Sequence, residues 1–494
     1  MRLLTLVAFM LAAGPAFGTA AVAFNIRDYG AIGDRTTKDT ASIQAAIDAA
    51  YAAGGGTVFF PRGAYLSGAL TVRSNVTIFL ENGATLYASR DKADYPENRS
   101  ELLFAEDAEN IVVCGAGRIH GQATEDLRRK PPIEEPWPEF RTRILLFRNC
   151  RNVHIREVTI LYSDSWTLHL QRCDTVFIDG VTIRNNYFRT NSDGIDPNSC
   201  RNVHISNCHI VAGDDCIVLK ATEDAPCENI VVTNCTLETI ATALKLGTES
   251  VGDFRDIRFS NCVIRNSPVG IGFFMKDGGT MERVSFDNIT IETANPEEIA
   301  YARNNVFPIF MDIEKRHADS PVGIIRDVTF SNLDIQTVGS SVIQGMPEGA
   351  IENLTLRDVT VRVNGTMDFS ERKKKVGGNR SLSNQRDTEY VRKPAYFAIA
   401  NVDALTVDNL KILAGDSVHG VFPRAALYCD NVSDAVVRGV RFRPADNQTP
   451  VVHFENARHV VVEAFPDPAT SETYLKITGD QSGNVSVLSP TGAN

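Results

Sequence analysis

The fold this sequence predicts is all-β, a right-handed parallel β-helix, and three observations carry it. A phrase made of one polar residue, most often Asn or Asp, then alternating apolar residues, a turn and two more alternating positions starts at Thr175, Asn202, Asn229, Asp256 and Arg283. Those starts are each 27 residues apart, and a constant period of this length marks a repeat architecture. Another good copy starts at Asn152, and looser ones start at Asn110, Asp327, Asn353, Ala404, Asp434 and His459. Alternation means strands with one buried face, and the short spacing leaves no room for crossover helices. A two-layer sandwich is the alternative. A constant long period fits better if each repeat makes one complete coil, with coils stacked about 4.8 Å apart.

Taken in order, the chain opens with one positive charge and an apolar run from Leu3 to Leu11, too short to span a bilayer. Small residues follow, and Ala16-Phe-Gly18 and Ala21-Val-Ala23 both fit a cleavage rule, so residues 1–23 read as a secretory signal cut near 18 or 23. A secreted or periplasmic protein is expected. The segment from about Asp39 to Ala53 has Ile43, Ala46, Ile47 and Ala50 on one stripe and ends at Gly54-Gly-Gly56, which predicts a helix capping the end of something larger. From Asn75 the coils begin, and residues 24–494 are expected to form a single domain. Prolines and charges at 127–139, and a stretch at 365–396 that contains Arg372 and Lys373 to Lys375, predict two loops leaving the coils. The basic run reads as a solvated loop.

The formal net charge of −11 argues against nucleic acid as a partner, and no later segment reaches membrane-spanning length. A polyanionic substrate would need a local basic cluster. Ten cysteines in an exported chain invite disulfides. Cys208, Cys235 and Cys262 are spaced by the repeat, however, and read as a buried stack, which leaves Cys216 and Cys227 as the first pair to test for a bridge. The nine histidines are dispersed and no spacing suits zinc, so no metal or cofactor is called for.

The chemistry centres on Thr190 to Lys220. Asp193 is followed 21 and 22 positions later by Asp214 and Asp215, and Gly194 and Gly213 let the backbone bend beside them. By offset within a 27-residue coil the three acids fall on adjacent coils and near the same side. Carboxylates packed this closely cannot all ionise freely, so at least one pKa should rise, giving an acid and a base in one place. Glycoside hydrolysis needs that pairing. A calcium site, lyase-type chemistry and turn-capping aspartates are the alternatives.

Asn191-Ser-Asp-Gly194 with Gly213-Asp-Asp-Cys216, their spacing, the coils and the opening from Phe24 to Leu66 resemble glycoside hydrolase family 28, the polygalacturonase-like enzymes. The resemblance implies a β-helix and hydrolysis with inversion, with Asp214 as general acid and Asp193 and Asp215 holding and activating water. Inversion in turn implies carboxyl separations wide enough for that water. The family's Gly-His-Gly is missing: Thr242 stands where the histidine would be, one coil beyond Asp215. Its Arg-Ile-Lys appears as Phe274-Met-Lys276, with the arginine gone. Rhamnogalacturonan hydrolases of the same family also lack the histidine. Lys276, Lys245 and Lys220 could hold a carboxylate, with a Glu249–Lys276 ion pair as the rival reading. Trp166 and His169 resemble a family segment near the substrate, and Asp312, Glu314 and Arg316 could reach the groove. The expected partner is a uronic-acid-containing pectic polysaccharide or oligosaccharide, met by a monomer. A polysaccharide lyase and a noncatalytic pectin-binding β-helix are the rivals from other classes.

Overall fold

A computed structural model of the chain describes residues 23–124, 140–294, 306–365, 389–415, 423–444, 448–463 and 474–488. Apart from Ala23, the expected signal segment lies outside the described residues, as do the loop at 127–139 and most of that at 365–396. The end of the second loop differs from expectation: Glu389–Arg392 forms a short 3-10 turn and a strand begins at Ala395.

The described strands pair in parallel, each with its counterparts one coil before and one coil after, and the chain is a right-handed parallel β-helix. Asp174–Asp179 lies between Arg151–Arg156 and Arg201–Ser206, for example. Along this face the register is Val176 to Val203 to Ile230 to Ile257 to Val284, the 27-residue period of the sequence. The residue that opens each repeat has a positive φ: Asn202 56°, Asn229 56°, Asp256 57°, Asp327 55° and Asn353 52°. Asn and Asp tolerate this left-handed geometry better than other side-chain-bearing residues, which explains their recurrence at the coil corners. The asparagines also bond from coil to coil, as Asn152 Nδ2 donates to Asn110 Oδ1 at 2.8 Å and Asn229 Nδ2 to Asn202 Oδ1 at 3.3 Å.

Inward residues fill the interior as apolar columns, including stacked Phe259, Phe286 and Phe330 with ring centroids 4.6 and 5.3 Å apart. The helix Thr40–Ala52 buries the expected Ile43, Ala46, Ile47 and Ala50 against the N-terminal coil, closing a core end that would otherwise meet water. No helix of the described residues is long and apolar enough to cross a membrane.

All ten cysteines are buried free thiols. No bridge joins Cys216 and Cys227, the pair the sequence put first for a test. Cys216 precedes the strand Ile217–Ala221 and Cys227 opens the next, so a whole strand of roughly 16 Å separates them, well beyond the ~7 Å a disulfide spans.

Candidate active site

The site lies on the face formed by Arg143–Arg148, Leu168–Gln171, Ile195–Asn198, Ile217–Ala221, Thr242–Ser250 and Val269–Met275. Here the register departs from the period. Leu168 pairs with Ile195, 27 residues on, but Ile195 pairs with Ile217 after only 22. A long excursion between Arg184 and Ile195, and a short one between Ala212 and Ile217, take up the difference. The offset reading therefore set Asp193 several positions from Asp215, whereas the fold puts them in register. Gly194 N–H donates to the Asp215 carbonyl at 2.9 Å and Cys216 N–H to that of Thr242 at 3.0 Å. Arg143, Trp166, Asp193, Asp215 and Thr242 thus form one row across five successive coils.

The glycines serve close approach rather than an unusual bend. A Cβ on Gly213 would lie 2.3 Å from the Asn186 carbonyl and 2.5 Å from Ser192 Oγ, and one on Gly194 2.4 Å from the Cys216 carbonyl. Neither has a positive φ. The long excursion is pinned from both sides. Asn185 Nδ2 donates to Thr167 Oγ1 at 2.8 Å and to the Ser192 carbonyl at 2.9 Å. Arg141 Nη1 donates to Asn191 Oδ1 at 3.2 Å, while its Nε donates to the Asp164 carbonyl at 2.8 Å. The fully buried Asp164 carboxylate holds Arg90 at 2.6 Å and also pairs with Arg189.

One oxygen from each of Asp193, Asp214 and Asp215 lies within 4.8 Å of the others. Asp193 and Asp215 are buried, and Asp214 is half-buried. Asp214 Oδ2 accepts the Asn191 N–H at 2.9 Å. Asp215 has both oxygens engaged, Oδ1 by the Thr242 N–H at 3.2 Å and Oδ2 by Lys245 Nζ at 2.6 Å. Asp193 Oδ1 is buried and makes no hydrogen bond among the described residues. Burial, then the charges of Asp196 and Asp214, push the Asp193 carboxyl well above its ordinary range, and burial followed by Asp215 raises Asp214. These oxygens lie no more than 4.8 Å apart, close enough for one water to be held between two of the carboxylates.

Two lysines answer these acids. Lys245, expected at the substrate, is instead the partner of Asp215; burial is the largest influence on it and disfavours its charge, but Asp215 and Asp214 together outweigh burial and Lys220, so its pKa rises. Lys220 is 5% exposed, with Nζ 3.4 Å from Glu249, 3.9 Å from Asp196 and 4.0 Å from Asp193. Burial opposes its charge, but Glu249, Asp193 and Asp196 together hold it above the usual lysine range. Burial raises Glu249 and the two lysines lower it, to about 2 in balance. Glu249 thus pairs with Lys220, and the rival reading of a Glu249–Lys276 pair does not hold. Lys276 is 2% exposed and lies 3.1 Å from Glu314, itself 4% exposed. Asp312 is buried beside them, accepting from Gln344 Nε2 at 2.6 Å, and Arg316 grips Asp277 at 2.5 and 2.8 Å.

Trp166 lies beside the acids with Lys220 Nζ 4.8 Å and the Arg143 guanidinium 5.2 Å from its ring centre. His169 meets its edge at 4.8 Å, and burial, then Arg143, pushes this imidazole down to about 3. Asp196 was not singled out from the sequence. It is closed to solvent, neither oxygen has a hydrogen-bond partner among the described residues, and burial lifts it to about 7 against the pull of Lys220. The alternation in Ile195-Asp-Pro-Asn198 carried the signal, because it turns Asp196 and Asn198 to the outer face.

The model of glycosyl hydrolases family 28 matches residues 57–376, well over half of the 494. A probable polygalacturonase of Vitis vinifera is 29% identical over 221 residues, covering 40% of this chain and 44% of that protein. An exo-poly-alpha-D-galacturonosidase of Dickeya chrysanthemi is 26% identical over 249 residues, covering 39% and 41%. The matches thus span less than half the length of these curated relatives. Among solved structures, a hyperthermoactive exopolygalacturonase from Thermotoga maritima superposes with a TM-score of 0.59 at 24% identity, covering 69% of this chain and 87% of that one, a likeness of fold. With the coils, the Asn-Ser-Asp-Gly and Gly-Asp-Asp segments and the family match in agreement, this chain belongs to glycosyl hydrolases family 28.

Proposed function

We propose that this protein is an exported hydrolase that cuts glycosidic bonds in galacturonic-acid-containing polysaccharide or oligosaccharide by a single displacement with water. The observation that carries the reading is the meeting of Asp193, Asp214 and Asp215 within 4.8 Å on the outer face of the coils. Asp214 is the general acid. It is the one of the three that keeps some exposure to solvent, and burial beside Asp215 favours its protonated form, as donation to a leaving oxygen requires.

Asp193 and Asp215 hold the attacking water. Two oxygens no more than 4.8 Å apart can both accept from one water at hydrogen-bond lengths of about 2.8 Å, with the water beside the pair. Asp215, anchored by Lys245 and the Thr242 N–H, has neither oxygen free to approach a sugar carbon, so attack by water with inversion is favoured over a covalent intermediate. Thr242 leaves the family's histidine position without an imidazole, and Lys245 supplies the charge that orients Asp215. A lyase that used a lysine as its base would need the neutral amine, and the acids around both site lysines favour the charged form.

Asp214→Asn tests the reading. The variant should release reducing ends from oligogalacturonides at least about a hundredfold more slowly than the wild type, with the fold intact by circular dichroism. Retained activity sinks the assignment of the acid. An ultraviolet-absorbing unsaturated product would sink hydrolysis.

A further inference from the structure

A polyuronate must bring its carboxylates into a cleft that already holds Asp193, Asp196, Asp214, Asp215 and Glu249. A cation with unused donors is needed to receive one of them. The lysines do not provide it: Lys245 is committed to Asp215, Lys220 to Asp193, Asp196 and Glu249, and Lys276 is buried against Glu314.

Arg143 is differently placed. It stands in the same row as the acids, two coils before Asp193, roughly 10 Å along the axis. Its side chain is 32% exposed and its guanidinium lies over the Trp166 ring at 5.2 Å. The one ion pair it makes among the described residues, to Glu101, is long at 3.8 Å, and its guanidinium forms no hydrogen bond to them. A guanidinium held over an aromatic ring keeps its charge and its forked donors while losing little freedom on binding. Glu101 is buried and on the far side of the row from the acids, so it steadies Arg143 without taking the short contacts a ligand would use.

We propose that Arg143, laid on Trp166, is the specificity-determining cation that receives a uronate carboxylate of the substrate about two rings from the bond being cut. The subsite rests on the proposed hydrolysis of galacturonides. It takes over, at the other end of the cleft, the anchoring that the missing arginine before Met275 cannot give.

The test is steady-state kinetics of the wild type, Arg143→Gln and Arg143→Lys on oligogalacturonides and on their methyl esters. Loss of a charge-assisted, forked pair should raise KM on the free acid roughly ten- to a hundredfold in Arg143→Gln with kcat little changed. Arg143→Lys, which keeps the charge without the fork, should fall between, and it decides the matter should the glutamine variant not fold. On the methyl esters the wild type and both variants should converge. Unchanged KM in both variants, or an equal loss on acid and ester, overturns the subsite while leaving the hydrolase reading intact. A wild type that releases no reducing ends from any galacturonide overturns both.

Discussion

Replacing Lys220 by methionine keeps the length of the side chain and removes a cation that lies 3.4 Å from Glu249, 3.9 Å from Asp196 and 4.0 Å from Asp193. At 4 Å and an effective dielectric of about 20, each contact carries a Coulomb energy of about 4 kcal/mol, offset in the native protein by the desolvation of all four groups. An opposite charge at this range shifts a carboxyl by about 1–3 pH units. Lys220 lowers Asp193 and Asp196 from values that burial has already raised. Its loss lets both rise further, so a higher pH is needed to ionise the carboxylate that holds the water. The acidic limb of kcat/KM, which reports the free enzyme, should move upward by about 1–3 pH units, while the limb set by the acid moves less. Stability should fall by about 3–5 kcal/mol above neutral pH, where Glu249 and the buried acids lose their cation while ionised, and by less near pH 4.5, where Asp196 is protonated with or without Lys220. Initial rates on oligogalacturonides from pH 4 to 9, with thermal melts at the two ends, measure both effects. An acidic limb that stays in place would refute the claim that Lys220 sets the charge of Asp193.

Asp196 titrates at about 7 in the folded chain, against an ordinary carboxyl value of 3.8. Its raised value gives stability below pH 4 that is lost as pH climbs toward 7, on the order of 4 kcal/mol in all. Asp196→Asn should therefore melt close to the wild type at pH 4.5 and a few degrees above it at pH 8, by calorimetry. For His169, pushed down to about 3, the sign reverses: its stability is present above about pH 6.5 and lost as pH falls toward 3, so His169→Gln should gain on the wild type only in acid. Product analysis by NMR at early times should show the inverted anomer, and a retained anomer would assign a covalent role to one of the acids. Dithiothreitol should leave the melting temperature unchanged, and thiol titration in denaturant should count ten groups, since every cysteine is free.

Periodicity alone determined the coils, because the left-handed corners demand Asn or Asp at a fixed phase and one buried face demands alternation, and both are local needs written residue by residue. The capping helix was equally legible from its stripe of Ile43, Ala46, Ile47 and Ala50. The identity of the acidic trio was also open to reading, since Gly213 and Gly194 mark places where the chain has no room for a Cβ. Tertiary structure decided the alignment. A face's register depends on how much chain each excursion takes up, and the long one before Asp193 shortens the next step to 22 residues while the neighbouring face keeps 27. Only the fold could therefore set Asp193 beside Asp215, turn Lys245 from substrate to Asp215, bury Lys276 against Glu314 and draw Lys220 and Asp196 into one cluster. Charged side chains find partners by distance in space, and a coil carries residues 22 to 30 positions apart into contact.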